Sequence, residues 1–81
     1  MSQIATFHTH LGALRLFKKL QRLGDAEAAM MPVPRRLSAS CGTCVRFELP
    51  FDPAWADEDL AGVYVREGSG FRTIFLNQSE E

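Results

Sequence analysis

The chain has 81 residues, a net charge of −1, 46% hydrophobic and 23% charged residues, which describes one soluble globular domain with a small core. That mixture excludes intrinsic disorder, and no apolar run approaches the ~20 residues a membrane-spanning helix needs. The opening MSQIATFHTH lacks the basic-then-apolar layout of a secretory leader, which sets a cytoplasmic expectation in which a structural disulfide is out of place.

The charge is unevenly placed. Residues 1–46 carry seven Lys/Arg against Asp25 and Glu27, a balance of +5, and residues 47–81 carry Arg66 and Arg72 against eight carboxylates, a balance of −6. Both cysteines, Cys41 and Cys44, lie in the basic half.

In chain order, IATFH (4–8) reads as a short β-branched and aromatic strand. Thr9 or His10 then starts a helix on which Ala13, Leu16, Phe17, Leu20 and Leu23 share one face. Arg15, Lys18, Lys19 and Arg22 stripe another face, and Gly24 is placed to stop the helix. Residues 28–33 read as a second strand leading into the rigid Pro-Val-Pro segment. From Thr43 the pattern alternates: Thr43, Val45, Phe47 and Leu49 on one face, Cys44, Arg46 and Glu48 on the other. Residues 53–62 suit a second short helix, capped by Asp52, with Pro53 at its first position and Gly62 after it. VYVREGSGFRTIFL (63–76) then reads as strand, Gly-Ser-Gly turn and strand, and residues 76–81 as a frayed polar tail. These elements predict a single α+β domain over 1–81: a ferredoxin-like βαββαβ-type sandwich. Its mostly antiparallel sheet would carry two helices on one face and an extra C-terminal strand.

Cys41-x-x-Cys44 is open to several chemistries. A dithiol redox pair requires a turn or helix that brings the two sulfurs together, yet the residues after Cys44 are strand-like. A zinc site would recruit His8 and His10 beside the two cysteines. One histidine capping the helix and the other on a solvated sheet face is the reading the residues favour over either being a ligand. A single activated thiol fits Cys41, in a loop with Arg35, Arg36, Ser38, Ser40 and Gly42, because guanidinium charge and loop N–H groups favour a thiolate. A small buried cysteine in a tight turn accounts for the same residues, and the residues alone leave these readings open.

FHTHLGALRLFKKLQRLG (7–24), MPVPRRLSASCGTCVRF (31–47) and the later GVYV (62–65) together resemble the selenium/sulfur carrier-like family of small bacterial proteins. The resemblance is strongest over the first 50 residues. Its most specific block holds Pro34, Arg35 and Ser38 through Ser40, Cys41 and Gly42, and Phe7, His8, Ala13 and Leu14 support it. The resemblance implies that Cys41 is the carrier thiol, that Ser40 and Gly42 shape its loop, and that Arg35 supplies nearby charge. Cys44 matches no expected family cysteine. It stands either as a resolving thiol of this chain or as a surface residue of the third strand.

The leading expectation is a small carrier that holds sulfur or selenium on Cys41 between a donor enzyme and an acceptor. It would be a carrier or accessory protein more than a stand-alone enzyme, and it calls for no cofactor. The alternatives are an interaction module that homodimerises through an open sheet face with incidental cysteines, a dithiol redox protein, and a zinc-stabilised domain. The basic stripe on the first helix reads as a solvated face. No aromatic platform accompanies it that would point to nucleic acid.

Overall fold

The computed structural model describes residues 2–37 and 41–77. The element order is β1 (Gln3–Phe7), α1 (His10–Arg22), β2 (Ala29–Pro32), β3 (Thr43–Phe47), a 3-10 turn (Pro53–Trp55), β4 (Leu60–Glu67) and β5 (Gly70–Leu76). The five strands form one sheet in the order β2-β3-β1-β4-β5, every neighbouring pair antiparallel. β1 and β2, joined by α1, therefore run parallel with β3 inserted between them, the split β-α-β arrangement.

α1 forms where capping and patterning agree. The Thr9 side chain accepts the Gly12 N–H, and Gly12, Ala13, Leu16 and Leu20 turn inward. At the other end Gly24 takes a φ of +92°, with Gly24 N–H on Gln21 O and Asp25 N–H on Leu20 O. This paired arrangement is a Schellman stop. Leu23, expected on the buried face, is the C-cap and is 52% exposed, because the helix ends before it can turn inward.

Beneath α1 lie Ala5 and Phe7 of β1, Val45 and Phe47 of β3 and Val63 of β4, which with Ala13, Leu16, Leu20 and Leu60 make the core. The β4–β5 hairpin turns at Gly68 and Ser69, and Gly68 has a φ of +62°. A positive φ at the first central residue suits the right-handed twist of the flanking strands.

The expected second helix is not there: α1 is the single α-helix among the described residues. Asp52 does cap, accepting the Ala54 N–H at 2.9 Å, but Asp57 then accepts the N–H groups of Asp59 and Leu60. Such local side-chain bonds offer the backbone an alternative to helix, and Leu60 onward is taken up as β4 beside β1. Where a second helix would pack, Phe51 and Trp55 cover the sheet, their rings 5.8 Å apart, and Phe75 of β5 lies 5.0 Å from Phe51.

On the other sheet face the central strands are buried, while Leu76 at the β5 edge is 53% exposed. Ile4 is 6% exposed, and Thr6 and Cys44 are fully buried. Tyr64 folds along the sheet, so that a Cβ on Gly62 would meet its hydroxyl oxygen at 2.8 Å. A bulky residue at 62 would displace that ring. Leu76, expected to open the frayed tail, belongs to β5, and Asn77 bonds to Ala61, Asp57 and Leu60; the rest of that expected tail lies outside the described residues.

Candidate functional site

Cys41 sits at one end of the sheet, where β1 passes into α1 and β3 begins. The β2–β3 pairing runs to Pro32 opposite Thr43, and the Val33 N–H then donates to Gly42 O at 3.1 Å. This last bond brings Val33 and Gly42 together, with Cys41 next to it in the chain. Arg35 and Arg36, both exposed, occupy a turn closed by the Leu37 N–H on Pro34 O. Ser38 and Ser40 lie outside the described residues. Gly42 is exposed, and a Cβ there would meet nothing.

The start of α1 borders the same end. His10 Nδ1 and Thr43 Oγ1 lie 3.3 Å apart, in a hydrogen bond whose direction follows the imidazole tautomer. It ties the first helical residue to the strand two residues after Cys41. The positive end of the helix dipole thus opens beside the loop. His8 is exposed, and its backbone N–H donates to Asp59 O at 2.8 Å. Among the described residues no three His, Cys, Asp or Glu side chains are grouped to hold an ion.

The two cysteines are both free thiols in different settings. Cys41 is half-buried and Cys44 fully buried. Cys44 occupies β3 opposite Thr6, with its Sγ 3.6 Å from Pro32 O. Burial, then the charge of the nearby Cys41, pushes its pKa up to about 11. The reading of Cys44 as a surface residue of the third strand is corrected: alternation places it on the face away from Val45, and there it is fully buried beside Thr6 of β1.

The family model described as "Putative Se/S carrier protein-like" matches residues 2–50. The chain belongs to this family. No curated protein and no solved structure matches it. In this carrier-like protein the matched segment carries β1, α1, β2, β3 and the Cys41 loop, and ends before Phe51.

Two buried polar residues that the sequence reading passed over brace the matched segment. Asp25, 6% exposed, follows the Gly24 stop. Its carboxylate accepts the N–H groups of Glu27 at 3.0 Å, Glu48 at 2.8 Å and Leu49 at 3.0 Å. Burial works to raise its pKa, but the backbone donors outweigh it and the net shift is downward. Gln3 donates to Leu49 O and accepts the Phe51 N–H. An acid directly after a helix-stopping glycine was the available signal for Asp25. Gln3, a lone polar residue before a strand, gave none.

Proposed function

We propose that this protein carries sulfur or selenium on Cys41, receiving it from a donor enzyme and passing it to an acceptor. The observation that supports this most is the contrast between the thiols: Cys44 is fully buried within the sheet with its pKa pushed up to about 11, and Cys41 is only partly buried. The family match covers Cys41 and its loop. In the proposed step the Cys41 thiolate attacks the outer sulfur of a donor persulfide. The donor S–S bond breaks, the donor leaves as thiolate, and Cys41 becomes the persulfide. An acceptor thiolate then attacks that outer sulfur and Cys41 departs as thiolate. Arg35 and Arg36 supply positive charge on the same loop for the anionic species.

Mass spectrometry after incubation with a persulfide donor tests the reading. One added sulfur is expected on the wild-type protein and on Cys44→Ser, and none on Cys41→Ser. An unmodified wild-type protein, or an adduct that survives Cys41→Ser, defeats it.

A further inference from the structure

α1 lies over β1, β3 and β2, while Phe51 and Trp55 cover the β4–β5 half of the same sheet face. Between these two covers runs a cavity of about 290 Å³. Its apolar lining is Phe7, Leu16, Phe51, Trp55 and Leu60, and its helical wall carries Arg15, Lys18, Lys19 and Arg22. Arg15 is neutralised across the gap by Asp57 at 3.4 Å and Asp59 at 3.2 Å. Among the described residues no carboxylate pairs with Lys18, Lys19 or Arg22, and α1 itself contains no acidic residue.

Three unpaired cations therefore stand beside an apolar slot where a two-helix sandwich would pack its second helix. We propose that this groove docks an acidic, amphipathic segment of a partner protein. One large apolar side chain of that segment would enter between Leu16 and Trp55, and its carboxylates would meet Lys18, Lys19 and Arg22. The size of the cavity suits one anchoring side chain, and the charge pattern selects an acidic flank. An anionic membrane or a single-stranded nucleic acid would also meet the basic wall, and bases stack on aromatic rings, so both are controls in the test. The groove is separate from the Cys41 loop, and the inference holds whether or not Cys41 carries sulfur.

Trp55 is the chain's single tryptophan and lines the slot, so its fluorescence reports occupancy directly. The probes are synthetic helical peptides in which one Leu, Phe or Trp-free aromatic anchor is flanked by glutamates, with lysine-flanked and anchor-to-serine counterparts. Saturable quenching or shift of Trp55 emission is expected with the glutamate peptides alone. It should weaken as salt rises and by about tenfold or more in K18E/R22E, whose substituted side chains are exposed and whose fold is checked by circular dichroism. The proposal is overturned if no glutamate peptide gives a saturable change at millimolar concentration. Equal responses from lysine peptides or from K18E/R22E overturn it too. So does a response obtained only with phosphatidylglycerol vesicles or a single-stranded oligonucleotide.

Discussion

The Asp25 carboxylate accepts the backbone N–H of Glu48 at 2.8 Å, joining the residue after the α1 stop to the end of β3. It accepts Leu49 and Glu27 as well, so one buried side chain fastens the helix exit to the strand beneath it. Replacing it by asparagine turns an NH2 donor or a weaker acceptor toward three donors. Asp25→Asn should lower stability on the order of 3 kcal/mol, measured by urea unfolding at pH 7.

The same carboxylate sets an acid limit. Its folded pKa lies below its unfolded value, so its stabilisation is complete above the unfolded pKa of about 3.9. That stabilisation drains away as pH falls from there through the lower folded value. The gap between wild type and Asp25→Asn in urea midpoint should therefore be widest near neutrality and should narrow below about pH 4. A gap that stays constant into acid would contradict this account.

The thiols should separate cleanly in reactivity. With a pKa of about 11, Cys44 holds roughly one part in a thousand of thiolate at pH 8, and it is buried besides. Iodoacetamide at pH 8 should alkylate Cys41 and leave Cys44 untouched until the protein is unfolded in denaturant. Peptide mapping of the native and denatured reactions checks this.

Gly12 lies where the helix meets the Asp57–Leu60 segment. A Cβ there would fall 2.6 Å from Asp59 Cβ and 3.1 Å from the Phe7 ring. Alanine gains up to ~1 kcal/mol in helix propensity, but a clash of this size in packed surroundings costs about 1–3 kcal/mol. Gly12→Ala should be net destabilising in thermal melts, against the usual sign for a helical glycine.

Two other glycines should behave differently from each other. Gly68, at a φ of +62°, should lose about 1 kcal/mol on substitution by alanine. Gly42 has open space at its Cβ position, so Gly42→Ala should stay within about 0.5 kcal/mol of wild type. A loss of sulfur uptake by Gly42→Ala with unchanged stability would assign that glycine to donor access.

Much of the frame was legible because it is local. Thr9, the stripe from Ala13 to Leu20, and Gly24 specify α1 without outside help, and the alternation from Thr43 and the Gly68 turn do the same for β3 and the hairpin. The second helix was misread because Asp52, Pro53 and Gly62 resemble helix punctuation. What decided the matter was the pairing of β4 with β1, more than fifty residues away, a contact no local window contains. Cys41 could be placed in a loop from its neighbours. The burial of Cys44 depended on the strands that flank β3 on both sides, and the role of Asp25 on donors beyond Leu37. Arg15, Lys18, Lys19 and Arg22 were visible as a stripe, but only the folding back of Phe51 and Trp55 gave that stripe a slot to border.

The strand order also bears on biosynthesis. β1 leaves the ribosome before the other four strands, yet it lies at the centre of the sheet, between β3 and β4. A nascent chain released only as far as Pro50 could seat one flank of β1 against β3 and would leave the other as a bare edge, its backbone N–H and C=O groups unpaired. That length is the segment the family match spans. Completion of the sheet waits for residues 60–65 to arrive, so the chain should fold late and all at once, after synthesis of its carrier-like portion has finished.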